Sequence, residues 1–250
     1  MTEEPTDSPA RTDDGYAPGE VPSRSEGKRR PRRGGGALRE VIIIAVIALT
    51  ISFLVKTFVA QPFSIPSESM ENTLDIGDRI VVSKFTPQRS ALNRGDVIVF
   101  EQPSSWGPVQ QDSSNAVVRG AKSALEFVGI LPGGGHHVVK RLIGLPGDNV
   151  ACVSGKVTVN GAALNEPYVA PGNRPCADNF SITVPAGRVW VMGDNRDHSY
   201  DSRGHDDGSG RTGSVPENLI TGQVVAIAWP ISRIQSLPAY PQVFAKVPNP

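Results

Sequence analysis

His137 to Gly147 reads HVVKRLIGLPG, seven residues rich in Val, Ile and Leu followed by a Gly-Leu-Pro-Gly turn. β-Branched residues bounded by Gly and Pro predict a short strand. Alternation along it puts Val138, Lys140 and Leu142 on one face and Val139, Arg141 and Ile143 on the other. One face must therefore carry a cation among apolar neighbours. The same rhythm recurs outward in both directions. Arg79 to Phe85 reads RIVVSKF, and Asp96 to Phe100 reads DVIVF after a turn at Gly95. Val150 to Val153 and Lys156 to Val159 flank Ser154-Gly155, a hairpin loop, and Asn160-Gly161 makes the next turn. Val189 to Met192 and Gln223 to Trp229 complete the set. The pattern predicts a mainly β domain with antiparallel or mixed pairing. Residues 102–136 break the rhythm with Ser, Gly, Pro and Gln and read as a surface insertion; Ala121 to Val128 could form a short helix within it. Its apolar centre, Leu125 to Leu131, either touches lipid or packs on the sheet.

Composition supports that reading. The chain has 250 residues, with 26 Gly and 22 Pro, too much turn chemistry for a helical bundle. Lys plus Arg is 25 and Asp plus Glu is 25, so no global positive field exists to drive nucleic-acid binding. The averages hide an uneven N-terminus. Residues 1–27 hold seven acids, two arginines and four prolines with almost nothing to bury, the signature of disorder. Lys28, Arg29, Arg30, Arg32, Arg33 and Arg39 then reverse the sign. Val41 to Val55 is an uncharged apolar run of fifteen, which Lys56 interrupts and Thr57 to Ala60 continues. Twenty helical residues span about 30 Å, a bilayer core, and an ammonium near the end can snorkel to the interface. A cleaved signal peptide fits less well, because Phe58 stands where a small residue would precede a cut after Ala60. The basic cluster keeps the N-terminus in the cytoplasm and places the β domain outside. There Cys152 and Cys176 are expected to oxidise to a disulfide closing a loop of about 25 residues, worth about 3 kcal/mol.

Three stretches could carry chemistry. Ile65 to Leu74 reads IPSESMENTL, whose two serines separated by one residue would equally suit a polar linker. Lys140 is either an ordinary solvated lysine or, if buried, an amine whose pKa falls toward neutrality and which can take a serine proton. Gly193 to Arg203, GDNRDHSYDSR, packs five charges, a His and two Ser into eleven residues, more than a capped polar turn requires. No two-His motif of metalloprotease spacing is present, and no metal or other cofactor is expected.

Together these stretches resemble the type I signal peptidases, membrane-anchored serine proteases that remove signal peptides from exported proteins. PSESM with Thr73-Leu74 is similar to the nucleophile motif, and GDRIVVSKF and RGDVIVF to the next two core strands. VKRLIGLPGD is similar to the segment bearing the lysine base, and GDNRDHSYDSR to the last signature. The resemblance implies Ser69 as nucleophile, Lys140 as general base, and the Ser67 hydroxyl beside the Ser69 amide as oxyanion hole. It implies that Ser199 orients the Lys140 amine and that Asp194, Arg196, Asp201 and Arg203 form a supporting charged cluster. Asn72 stands where members often have Pro, an exchange of turn formers expected to cost little, and His198 where they often have Asn.

The implied architecture is a signal-peptidase-like β fold with a small inserted β subdomain, preceded by one transmembrane helix. A cytoplasmic tail occupies 1–40 and the helix 41–60. The catalytic core occupies 61–147 and 193–250, and the subdomain 148–192. Exported preproteins and the lipid bilayer are the expected partners, with the protein a monomer in the cytoplasmic membrane. The competing reading is an anchored, non-enzymatic β domain that binds peptides or envelope proteins and needs neither Ser69 nor Lys140.

Overall fold

The computed structural model describes residues 35–58, 60–83, 92–107 and 137–250. The acidic tail, the basic cluster at 28–33, the expected helix at 121–128 and all of the insertion beyond residue 107 lie outside the described residues. The chain divides into two compact units, 1–46 and 47–250. Helix α1, Gly35–Phe58, begins in the first and ends in the second. It starts six residues before the expected 41–60 span and ends two before it, and Ala60 is already in a strand. Among the described residues no helix is long and apolar enough to cross a membrane. Arg39, Glu40 and Lys56 lie inside α1 and confine its uncharged run to Val41–Val55, short of the ~20 residues a bilayer core asks for.

All described strands belong to the second unit, and every described pairing is antiparallel. In chain order they are β1 (Ala60–Ser64), β2 (Arg79–Ser83), β3 (Val97–Glu101), β4 (His137–Gly144), β5 (Asn149–Val153) and β6 (Lys156–Val159). They continue as β7 (Ala162–Ala163), β8 (Ser181–Thr183), β9 (Arg188–Met192), β10 (Val215–Pro216), β11 (Ile220–Trp229) and β12 (Gln235–Ser236). The larger sheet runs β1-β2-β11-β3-β4-β9-β10, with β12 on β11, and the smaller runs β7-β6-β5-β8. The expected subdomain therefore contracts: its sheet spans residues 149–183, and β9 belongs to the large sheet beside β4. Two helical turns complete the described elements, α2 (Ser202–His205) after β9 and α3 (Pro241–Phe244) after β12.

The core is split by the large sheet. Ile98, Phe100, Trp106, Leu142, Val189 and Val191 pack on one side, with Val138 against them. Val97 and Val99 pack on the other with Phe63, Ile65, Met70, Leu74 and Ile80, and Val139 joins them. Successive residues of β3 and β4 thus serve different cores, as period-two alternation requires. A third cluster fills the small sheet with Val150, Val157, Val159, Ile182 and Trp190. Cys152 and Cys176 are joined within it, with Cα atoms 6.1 Å apart.

Candidate active site

Ser69 sits on a single helical turn, Glu68–Met70, just after β1. The turn forms because its inner residues are apolar. Met70 and Leu74 are fully buried, and the Thr73 and Leu74 amides donate to the Met70 carbonyl at 3.1 and 2.7 Å. Ser69 is left half-buried and Ser67 exposed, their hydroxyl oxygens 3.4 Å apart. Asn72 bends the chain away with φ 80°, and its amide donates to the Tyr168 carbonyl at 3.1 Å. The expectation that Asn72 is interchangeable with Pro fails here, since the pyrrolidine ring holds φ near −65°.

Across from this turn, Lys140 Nζ donates to Ser69 Oγ at 2.5 Å. Lys140 is 4% exposed, and its register partner on β3 is the fully buried Ile98. Burial pushes its pKa down from 10.5 to about 8; the Asp201 and Asp194 charges pull it up, and Arg203 pushes it down. Burial disfavours the ammonium, and a substantial neutral fraction exists just above neutral pH. In that form the amine can accept the hydroxyl proton along the same line. Of the two cations on β4, both are buried rather than one: Arg141 is also fully enclosed on the opposite face.

The Gly193–Arg203 stretch closes the site from the far side. Gly193 lies so close to the Ser69 carbonyl and the Ser199 hydroxyl that any side chain there would collide with both. The Asn195 amide donates to the Ser69 carbonyl at 3.2 Å, and its side chain donates to the Glu68 carbonyl at 3.1 Å. The expected charged cluster resolves into three separate ion pairs, two with partners that the sequence does not suggest. Asp194 takes a two-pronged grip from Arg141 at 2.8 and 2.6 Å and accepts from Thr73 Oγ1 at 2.5 Å. Arg196 pairs with Glu166 at 2.5 and 2.9 Å and donates to the Pro175 and Gly193 carbonyls. Arg203 pairs with Asp201, whose carboxylate also accepts from the Gly193 amide at 2.9 Å. Burial pushes the Asp201 pKa up, but these donors outweigh it and hold the carboxyl below its ordinary value. Ser199 donates to Asp201 at 2.8 Å, and among the described hydrogen bonds it makes none to Lys140, contrary to the orienting contact expected. Arg141, Glu166, Thr73 and Asn195 are the residues sequence reasoning missed. Arg141 left a signal as the second cation of HVVKRLI, and Thr73 and Asn195 stood inside quoted motifs without a role.

A groove of about 170 Å³ leads to the pair, lined by residues 63–67, Ser69, Met70 and residues 137–140. Its walls are two strand edges. Among the described residues β1 pairs only with β2, and residues 137–140 of β4 pair only with β3, because the pairing of β4 with β9 starts at Arg141. A larger hollow of about 410 Å³ lies beyond Arg203, beside Phe180 and Trp190, but neither Ser69 nor Lys140 lines it. Among the described residues no group of three or more His, Cys, Asp or Glu side chains could hold a metal ion.

The family described as signal peptidase, peptidase S26, matches residues 38–229. A "Probable signal peptidase I" of Mycobacterium leprae is 42% identical over 237 residues, covering 84% of this chain and 80% of that one. "Signal peptidase I" of Mycobacterium tuberculosis is 43% identical over 219 residues, covering 78% and 74%. "Signal peptidase I" of Leptolyngbya laminosa is 34% identical over 200 residues, covering 80% and 84%.

Proposed function

Because the chain belongs to the signal peptidase family, peptidase S26, we propose that this hydrolase cuts signal peptides from exported preproteins by acyl transfer through Ser69 and Lys140. The observation that carries the reading is the 2.5 Å contact between a half-buried serine hydroxyl and a buried amine with a pKa of about 8. The preprotein enters extended and pairs its backbone with the open edges of β1 and β4. Small side chains one and three residues before the cut fit the shallow groove, as in Ala-x-Ala sites.

Neutral Lys140 takes the Ser69 proton as Oγ attacks the scissile carbonyl. The Ser67 hydroxyl and Ser69 amide stabilise the oxyanion, a donor effect worth about 3 kcal/mol in other proteases. The Lys140 ammonium returns its proton to the leaving amine as the peptide bond breaks. Water then attacks the acyl-enzyme as Lys140 takes its proton; the ammonium hands that proton to Ser69 Oγ as the ester bond breaks, and the signal peptide leaves with a new C-terminal carboxylate. Asp194, Arg196, Asp201 and Arg203 hold the Ser69 turn and Gly193 in place, and Ser199 supports Asp201.

The anchor reading rests on the sequence, whose uncharged run Val41–Val55 follows a basic cluster, although that run alone is shorter than a bilayer core. The exposed Val41 to Ile47, Leu49 and Ile51 side chains suit lipid on every side. With the basic cluster cytoplasmic, the catalytic unit stands outside the cytoplasmic membrane as a monomer. The test is mass spectrometry of a preprotein incubated with detergent-solubilised wild type, Ser69→Ala and Lys140→Ala. A single cut after Ala-x-Ala by wild type alone is expected; a cut that survives in both variants, or none from folded wild type, overturns the reading.

A further inference from the structure

We propose that Tyr240, which lies after the residues of the family match, is a positioning residue that acts through the Arg141 guanidinium on the Ser69 turn. The proposal rests on the peptidase reading above. The family match ends at residue 229, and the segment after it returns to the site. Ala239 and Phe244 press on Gly95 so closely that any side chain there would strike the Ala239 carbonyl. Phe244, Val243 and Val247 pack into the core of the small sheet, and Asn160 donates to the Pro248 carbonyl at 2.8 Å. Tyr240 is thereby fixed from both sides.

Its ring meets that of Tyr168 at 5.3 Å, and the two share one cation. The Arg141 guanidinium carbon lies 4.1 Å from the Tyr168 ring centre and 5.3 Å from that of Tyr240. Both lie within the range at which a ring face attracts a cation. Tyr240 holds this place at φ 50°, ψ 50°, a left-handed conformation that is strained for a bulky residue. Gly or Asn would adopt it more readily, so the backbone alone gives no reason for a tyrosine.

What the rings hold is the hub of the site. Arg141 donates to Asp194, to the Gly95 carbonyl at 2.7 Å and to Thr73 Oγ1 at 3.3 Å. Thr73 closes the Ser69 turn, and Asn195, next to Asp194, fastens the Ser69 carbonyl. Arg141 also follows Lys140 directly on β4. One guanidinium therefore registers the serine and the lysine against each other. The charged groups that act on Lys140 are Asp201, Asp194 and Arg203, and His205 feels Lys140 in turn. Loosening Arg141 leaves Asp194 less neutralised, which raises the Lys140 pKa.

The experiment compares Tyr240→Asn, which suits the backbone but lacks the ring, with Tyr240→Phe, which keeps it. The full chain is isotopically labelled at lysine, and Lys140 is titrated by NMR beside kcat and KM on a preprotein. Tyr240→Asn is expected to move the Lys140 titration upward and lower kcat about tenfold, as misplacement does, with KM within about twofold. Tyr240→Phe is expected to restore both. A purely structural role would lower the folded fraction and leave the titration and KM of folded protein unchanged. An unshifted Lys140 titration in folded Tyr240→Asn, or a Phe variant that behaves like Asn, overturns the proposal. Tyr240→Leu, which fills the space without a ring face, gives the same readout if Asn unfolds the segment. Failure of wild type to cleave would remove the peptidase reading alone, because the titration needs no turnover.

Discussion

Lys140 and Arg141 stand side by side on β4, both buried, and the fold treats their charges in opposite ways. Arg141 meets a carboxylate, two acceptor oxygens and two aromatic rings, and its pKa is raised despite burial. Lys140 meets a serine hydroxyl and is left to shed its proton at a pKa of about 8. A guanidinium can serve as a permanent structural cation, whereas an amine placed without a close anion becomes a base.

Activity follows the Lys140 amine. The active form is neutral, so kcat/KM is expected to fall by about tenfold per pH unit below pH 8 and to level off above it. The measurement is a pH–rate profile on a preprotein whose own signal peptide carries no group titrating in that range. A flat profile down to pH 5 contradicts the lysine base.

Stability follows the same group with the opposite reward. The folded pKa lies below the ordinary 10.5, so between about pH 8 and 10.5 the unfolded chain holds a proton that the folded chain lacks. Stability from this group rises with pH across that window, and below it the buried charge costs about 3 kcal/mol. Lys140→Met is therefore expected to be inactive yet more stable than wild type by about 1–3 kcal/mol at pH 7, with the gain fading above pH 10. Urea unfolding of both proteins at the two pH values checks this; a Met variant less stable at pH 7 refutes it.

Two ion pairs of similar length should differ widely in worth. Arg141–Asp194, 2.6 Å with neither side chain exposed, leaves a stranded buried cation when broken, and Asp194→Ala is expected to cost about 3–5 kcal/mol. Arg233–Asp75, also 2.6 Å but 31% and 46% exposed, is screened by water. Asp75→Ala is expected to cost under about 1 kcal/mol. Denaturation midpoints of the two variants, read at equal slope, decide the comparison.

Asn72→Pro, although it looks like a change toward the family's common residue, is expected to damage the site. Forcing proline where φ is 80° costs about 3 kcal/mol or more and disrupts the turn that carries Ser69. Asn72→Gly, which keeps the left-handed conformation, is expected to retain most activity. Thermal unfolding and cleavage rates of the two variants side by side test the assignment, and a fully active proline variant would sink it.

The sequence announced features that depend on neighbours along the chain. HVVKRLI is a strand, and the hairpin at Ser154-Gly155 forms; whether Lys140 was solvated or buried stayed open until the structure placed it at 4% exposure. Ser69 and Lys140 meet although the residues alone could not show it. Illegible features depend on partners far along the chain. Glu166 pairs with Arg196 from 30 residues away, and Thr73 reaches Asp194 across 121. Short strands such as β8 and β10 carry too few residues to show a period, and their existence follows from the strands they pair with. The end of α1 escaped because Thr57 to Ala60 is as apolar as the helix, while the switch to strand comes from Ala60 pairing with Ser83.

The serine turn near the start of the β unit is fastened by Asp194 and Asn195, more than 120 residues later. Ribosomes deliver the nucleophile early and its fasteners late. Until the chain has been extended through β4 the hydroxyl has no amine to face, and until it has passed β9 its turn has no clasp. Closing such long loops is a slow, late event in folding. The fastened serine turn is thus a late product of synthesis, completed only once residues 194 and 195 have been made.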